Sequence, residues 1–116
     1  MKSLGINTLR KHIKIEPEFF YYECDKEGML VMQDMVNNGS YNFIRDTAIP
    51  TVFSKKGLRY HLKDKEPKLK LKQFFLEHSK QTIEHLHNHP CVVYYTIFNE
   101  GWGQFNANYA YKVLKQ

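Results

Sequence analysis

The feature that most constrains the fold is an alternation of short apolar runs, typical of strands, with longer segments of helical periodicity. The last run, residues 91–98, is β-branched and aromatic almost throughout, which indicates a strand. A helical segment over residues 69–87 precedes it, and another helix begins near Asn106. Strands that alternate with helices predict parallel strands and right-handed crossovers, and therefore an α/β fold.

The first part of the chain follows the same order. Gly5 predicts the position just past the end of a helix, of which residues 1–4 are the tail, and a strand is expected over residues 6–13. Pro17 suits the first turn of the next helix, and Gly28 suits the position just after its last turn. The following run, residues 29–34, is apolar on both faces, which predicts a strand buried on both sides. A long, turn-rich loop is expected between this strand and the helix at 69–87.

Composition narrows the class of function. The net charge of +5, 42% hydrophobic residues and 25% charged residues fit an ordinary globular domain. The lysines between Lys55 and Lys72 are interspersed with acidic residues and lack a recognised nucleic-acid motif, so we expect no nucleic-acid binding. No stretch approaches the ~20 apolar residues of a membrane span, and no export signal is visible. Cys24 and Cys91 are predicted to be buried free thiols.

Polar or ionisable residues stand at the carboxyl ends of three successive predicted strands. Arg10 and His12 follow the first, Asp34 ends the second, and Asn99 with Glu100 follow the third. In parallel α/β folds functional groups gather at that edge. We therefore expect these five residues to form a site.

Glu100 is the strongest candidate for chemistry. An apolar strand precedes it and the run Gly101-Trp102-Gly103 follows, so an indole is expected beside its carboxyl. An apolar environment favours the protonated form of a carboxyl and raises its pKa toward the value that a general acid needs. A solvent-exposed Glu in a glycine-rich turn is the alternative interpretation. Trp102 is also a candidate platform for a sugar face.

The histidines near the end of the 69–87 helix suggest a metal site, but their spacing argues against one. His85 and His87 are two positions apart on a helix and point in nearly opposite directions, and Pro90 displaces His89 from the helix. No metal and no cofactor are therefore expected.

The run from Ile97 to Phe105, with Asn99-Glu100-Gly101-Trp102 inside it, resembles the acid/base signature of family two glycoside hydrolases, which include β-galactosidases, β-glucuronidases and β-mannosidases. Residues 5–12 resemble their second barrel strand, residues 16–31 the following helix and third strand, and residues 89–93 the lead-in to the fourth. The resemblance covers nearly the whole chain, apart from the loop at 40–68.

This resemblance implies a partial TIM (β/α)8 barrel. It has about strands two to four, which form a parallel sheet, together with their helices. Residues 1–116 are then a single, incomplete segment of a catalytic barrel, and the rest of the barrel is its partner. The implied reaction is retaining hydrolysis of terminal β-glycosidic bonds, which uses two carboxylates ~5–5.5 Å apart. The nucleophile implied by the resemblance is a Glu on the seventh strand.

The resemblance also assigns roles. Glu100 matches the general acid/base, and Asn99 matches the residue that hydrogen-bonds the sugar 2-hydroxyl. Arg10 and Asp34 match residues that shape the sugar pocket. His12 is a further candidate for sugar binding, although some members carry their pocket histidine at a different spacing from the arginine. Because Asp34 ends a strand adjacent to that of Glu100, a supporting role suits it better than that of the nucleophile.

Two other functions stay open at this point. A non-catalytic carbohydrate-binding chain, or an inert α/β fragment that oligomerises, also fits the sequence. Three parallel strands cannot close a barrel, so their two unpaired edges and apolar face favour association between copies.

Overall fold

The computed structural model describes residues 1–37, 69–99 and 104–115, in which strands and helices alternate along the chain. The elements, in chain order, are a 3-10 turn at Lys2–Leu4, β1 at Thr8–Lys11, α1 at Glu18–Glu27, β2 at Leu30–Asp34, α2 at Leu69–Leu86, β3 at Val92–Thr96 and α3 at Ala107–Leu114. This order confirms the predicted α/β alternation. Most of the predicted loop between β2 and α2 lies outside the described residues.

Glycines end the N-terminal turn and α1, as the sequence predicts. Gly5 has φ of 79° and Gly28 has φ of 62°, both in the left-handed region that glycine adopts without strain. At the end of α1 the Gly28 N–H donates to the Asp25 carbonyl at 3.2 Å, and the Met29 N–H donates to the Cys24 carbonyl at 2.9 Å. This arrangement satisfies carbonyls of the last turn and turns the chain directly into β2.

The three strands form one parallel sheet in the order β1-β2-β3. Arg10 of β1 lies beside Met32 of β2, and Asp34 of β2 lies beside Thr96 of β3. An irregularity in the β2–β3 pairing follows Val31 and shifts the register by one residue. The consequence is that the carboxyl ends of all three strands lie at one edge of the sheet.

One face of the sheet packs against α1 and α2. The fully or nearly fully buried residues of this layer are Tyr21, Cys24, Met29, Val31, Leu86 and Cys91. A second cluster, which involves α2 and α3, consists of Met35, Phe75, Phe105 and Ala110. Aromatic and aliphatic side chains thus hold the helices on one side of the sheet.

The opposite face of the sheet is open within the described part of the chain. Leu30 is 42% exposed, Met32 is 40% exposed and Tyr94 is 58% exposed. The prediction that β2 is buried on both faces is therefore wrong for these residues. Only the odd-numbered face of β2 reaches the helices, whereas the apolar residues of the even-numbered face have no layer above them.

The cysteines are free and buried, as predicted. Burial, together with the hydrogen bond and negative charge of Asp25, raises the pKa of Cys91 to about 12. Burial likewise raises the pKa of Cys24. Both thiols are therefore protonated near neutral pH and lack the thiolate that reactive cysteines use. Among the helices described, none has the length and apolar character needed to cross a membrane.

Candidate functional site

The site lies at the carboxyl edge of the sheet, where four of the six predicted residues come together. Arg10 is near the end of β1, His12 follows that strand, Asp34 ends β2 and Asn99 follows β3. The structure joins them into one hydrogen-bonded cluster. Glu100 and Trp102, the other two predicted residues, lie outside the described residues.

Arg10 and Asp34 form the centre of this cluster. Arg10 Nε donates to Asp34 Oδ1 at 3.1 Å, and Arg10 Nη2 donates to Asp34 Oδ2 at 2.9 Å. Two parallel bonds between a guanidinium and a carboxylate fix the plane of the guanidinium as well as its position. The pair also connects neighbouring strands, because β1 carries the cation and β2 the anion.

Two further groups converge on the Asp34 carboxylate. His12 Nδ1 lies 3.2 Å from Asp34 Oδ2, and the Thr96 hydroxyl donates a hydrogen bond from β3. The Asp34 side chain has no solvent exposure, whereas those of Arg10 and His12 are more than half exposed. Asp34 therefore lies beneath the surface of the site, with Arg10 and His12 above it.

The electrostatics keep Asp34 ionised despite its burial. Burial by itself disfavours the charged form, but the hydrogen bonds from Arg10, Thr96 and His12 outweigh it and lower the pKa of Asp34. In return, the hydrogen bond and the charge of Asp34 raise the pKa of Arg10. A carboxylate with both oxygens engaged and a lowered pKa is a structural anion, not a proton donor.

Arg10 also connects β1 to the segment after β3. Its Nη2 donates to Asn99 Oδ1, across 89 positions of sequence. The same guanidinium nitrogen thus contacts the carboxylate of β2 and the amide beyond β3. Arg10 consequently sets the relative positions of the three strand ends.

Aromatic packing holds the chain where it leaves β3. The Phe98 ring stacks on Phe75 of α2, with ring centres 5.2 Å apart and planes at 12°. Phe105 meets both rings edge-on, at 5.8 Å from Phe75 and 5.3 Å from Phe98. Such packing restricts the backbone next to Asn99, because any movement of Phe98 would break its contacts with both other rings.

Two supporting side chains behind the site were not predicted from the sequence. Gln33 is fully buried, and its Nε2 donates to the Lys14 carbonyl at 2.9 Å and to the Asp34 carbonyl at 2.8 Å. The Tyr21 hydroxyl donates to Gln33 Oε1 at 2.6 Å. These bonds fix the segment after β1 and the end of β2 from the helix side. A single glutamine inside an apolar run was the available signal.

Two of the histidines near the end of α2, His87 and His89, have partners other than a metal ion. His89 Nδ1 lies 2.6 Å from Asp25 Oδ2, and His87 Nδ1 lies 2.7 Å from the Glu84 carbonyl. Among the residues that the structure describes, no three His, Cys, Asp or Glu side chains are grouped to hold a metal ion. Asp25 also accepts from the Cys91 N–H at 2.8 Å, so this cluster fastens α1 to the start of β3.

Comparison with known families agrees with the fold. The family model described as "Glycosyl hydrolases family 2, TIM barrel domain" matches residues 1–116. A comparison with curated proteins finds no match to the chain. A three-stranded parallel sheet with helices on one face is the local architecture of a TIM barrel, which arranges eight such strands in a closed ring.

Proposed function

The chain belongs to the TIM barrel domain of the family 2 glycosyl hydrolases, and we propose that it carries the acid/base half of a retaining glycosidase site. The substrate class is a terminal β-glycoside, which agrees with the family's activity on glycosidic bonds. The observation that carries the proposal is the cluster of Arg10, His12, Asp34 and Asn99 at the carboxyl edge of the sheet. Glu100 directly follows this cluster in the sequence.

We assign general acid/base catalysis to Glu100. Protonating the glycosidic oxygen requires a carboxylic acid whose pKa lies near the working pH, and an apolar neighbour such as Trp102 favours that form. Asn99, the residue before it, is held by Arg10 and by the packing of Phe98. That support suits a catalytic position, because acid/base catalysis depends on placement of the donor to within a fraction of an ångström.

We assign sugar binding to the exposed members of the cluster. Arg10 presents guanidinium donors and His12 an imidazole at the open surface, and the Asn99 amide contacts Arg10. Trp102 is the proposed stacking surface for a sugar ring. Sugars carry closely spaced hydroxyls that both donate and accept hydrogen bonds, so charged and amide groups on a rigid strand edge suit them.

Asp34 does not suit the role of nucleophile. Attack on an anomeric carbon needs a free carboxylate oxygen, yet Asp34 is fully buried and both of its oxygens accept hydrogen bonds. We therefore assign nucleophilic attack to the Glu that the family carries on its seventh strand, and we give Asp34 the task of holding Arg10.

The test is the substitution Glu100→Gln in the full-length polypeptide, assayed with β-glycosides of poor and of activated leaving groups. Loss of the proton donor should lower turnover of the poor leaving group by about 10²–10⁴-fold, the usual contribution of general acid catalysis. Dinitrophenyl glycosides need no proton and should lose much less in the glycosylation step. Glu23→Gln, which alters an exposed carboxylate on α1, is the matched control. Unchanged hydrolysis of the poor leaving group contradicts the assignment.

A further inference from the structure

We propose that Gln33 is a positioning residue of the site: it holds a strained turn at Ile13, and that turn places the His12 imidazole on the Asp34 carboxylate. Gln33 is fully buried, so it acts through the backbone of the segment after β1 and not by contact with a ligand. The placement of His12 is a property of the chain without ligand. Its consequence for sugar binding rests on the proposed function.

The first step concerns the backbone at Ile13. This residue has φ of 45°, and it is the non-glycine residue with positive φ in the part of the chain that the structure describes. Its branched Cβ crowds the backbone in the left-handed region, which glycine and asparagine adopt at a lower cost in free energy. A β-branched residue keeps such a conformation only where the surrounding contacts hold it. The turn therefore needs a restraint from elsewhere in the fold.

The second step identifies that restraint. Both N–H groups of the Gln33 side chain are used, because Nε2 donates to the Lys14 carbonyl at 2.9 Å and to the Asp34 carbonyl at 2.8 Å. The Tyr21 hydroxyl donates to Gln33 Oε1 at 2.6 Å and accepts from the Glu16 N–H at 3.2 Å. Gln33 has no solvent exposure, so water does not compete for these bonds. The segment that follows the turn is thus fastened to the end of β2.

The third step concerns the residue before the turn. His12 Nδ1 lies 3.2 Å from Asp34 Oδ2, although the His12 side chain is 58% exposed. An exposed side chain samples several rotamers unless its backbone directs it to a partner. This contact and the bond from Gln33 to Lys14 start from consecutive residues of β2, and Ile13 lies between the two residues that they reach. Relaxation of the turn would therefore move His12 relative to the end of β2 and break its contact with Asp34.

The contact gives His12 a spectroscopic signature. Hydrogen bonds lower the pKa of Asp34 and keep its carboxylate ionised, and an ionised carboxylate only accepts hydrogen bonds. The proton of a neutral imidazole in contact with it must therefore lie on Nδ1, and the lone pair on Nε2. An imidazole without that partner exchanges between the two tautomers. The tautomer of His12 thus reports its placement.

The experiment records the imidazole ¹⁵N resonances of His12 in the chain without ligand at pH 8, where an ordinary imidazole is neutral. We expect the Nδ1–H form to predominate in the original chain. Gln33→Met keeps the size of the side chain but removes both donors. It should lower the ratio of Nδ1–H to Nε2–H forms about tenfold or more, the usual effect of one hydrogen bond to a charged group. Gln81→Met, the same change at an exposed glutamine of α2, is the matched control and should leave the ratio unchanged.

A second substitution tests whether Gln33 acts through the turn. Asparagine tolerates the left-handed region better than isoleucine, so Ile13→Asn should keep the turn without the bond from Gln33. In the variant that combines Gln33→Met with Ile13→Asn, the ratio should return close to that of the original chain, a coupling that a double-mutant cycle measures. Tyr21→Phe removes only the hydroxyl that orients the Gln33 amide. It replaces Gln33→Met in the same comparison where that variant does not fold, and Ile13→Asn should reverse its smaller loss in the same way.

The outcomes in the chain without ligand decide the inference. A mixture of tautomers in the original chain overturns it, and so does a ratio that Gln33→Met leaves unchanged. A ratio that Gln33→Met lowers and Ile13→Asn fails to restore also overturns it, because Gln33 then does not act through the turn.

Sugar binding in the same variants keeps the inference apart from the proposed function. In titrations with galactose, glucuronate and mannose, the dissociation constant should rise about fivefold in Gln33→Met, the usual effect of one hydrogen bond, and recover in the combined variant. Equal dissociation constants in all variants contradict the sugar-binding role of His12. A chain that binds none of these sugars, while the tautomer ratio responds as expected, overturns the proposed function and leaves the role of Gln33 intact.

Discussion

Asp34 shows how a buried charge is kept ionised at the end of a strand. Its carboxylate has no solvent exposure, yet it accepts hydrogen bonds from both neighbouring strands, from Arg10 of β1 and from Thr96 of β3. Replacing one partner leaves a buried polar group unpaired, which costs more than the original bond contributes. The residue therefore couples the integrity of the sheet to the geometry of the site.

Stability should fall in acid because of Asp34 and Asp25. Burial by itself raises the pKa of each carboxyl. The hydrogen bonds that Asp34 accepts from Arg10, and that Asp25 accepts from Cys91 and His89, outweigh this effect. Both pKa values in the folded chain therefore lie below the ordinary ~3.9. The unfolded chain then binds protons more readily than the folded chain as pH falls below about 4. The stabilisation is fully present above that pH and is lost as pH falls through the folded values.

Urea unfolding at pH 5, 4 and 3 measures this dependence. The unfolding midpoint should drop between pH 5 and 3, and it should drop less in Asp34→Asn and in Asp25→Asn, since each removes one of the two titrating groups. Equal midpoints at pH 5 and 3 in the unsubstituted chain would show that neither carboxyl is stabilised by its partners.

At the scale of elements, the helix ends follow local rules that the sequence displays. Gly28 lies at φ of 62°, and an added Cβ there meets nothing closer than Lys2 Nζ at 3.6 Å. Gly28→Ala should therefore lower the free energy of unfolding by about 1–2 kcal/mol through backbone strain and not through a clash. Gly28→Asn should cost less, since asparagine tolerates this conformation better. Thermal denaturation compares the two, and equal losses would contradict the strain argument.

The same elements show what a sequence does and does not reveal. Strand and helix order, the glycine ends and the clustering of Arg10 with Asp34 follow from local pattern and from the rule that parallel strands end at one edge. The roles of Thr96 and Gln33 were missed, because a polar residue inside a strand gives no sign of the partner that it meets elsewhere in the fold. Arg10 and Asn99, which are 89 positions apart, were predicted to share one edge of the sheet, but the hydrogen bond between them was not.

The sequence pattern also gave a wrong prediction for the environment of β2. Its apolar run predicted burial on both faces, but within the described residues the face of Leu30 and Met32 is open. The apolar composition of a strand reflects all the contacts that the strand makes in the complete fold. The observed side-chain exposure reflects only the contacts within this chain. In a TIM barrel this face points to the barrel interior, where side chains of other strands cover it.

At the scale of the whole molecule, we expect copies of the chain to associate through the open sheet. Tyr94 is 58% exposed beside Leu30 and Met32, and no strand within the described residues pairs with the outer edges of β1 and β3. Unpaired edges and apolar faces favour pairing between chains. Sedimentation velocity at micromolar concentration should therefore detect dimers or larger species.

Two lysine substitutions test where this association occurs. Tyr94→Lys places a charge on the open sheet and should shift the equilibrium toward the monomer. Phe19→Lys removes an aromatic side chain that is 70% exposed on α1, away from the sheet, and should leave the association unchanged. A chain that sediments as a monomer at these concentrations would contradict the prediction.

The central claim is that sugars bind at the carboxyl edge of the sheet, beside Arg10 and Asn99. Its most direct measurement is a titration of the ¹⁵N-labelled chain with galactose, glucuronate and mannose, followed through the side-chain resonances of those two residues. We predict saturable shifts of the Asn99 amide and the Arg10 guanidinium with at least one sugar, and no shifts at His89 near the opposite edge. Shifts confined to the outer surface of α1, or to His89, with Asn99 and Arg10 unaffected, would contradict the account.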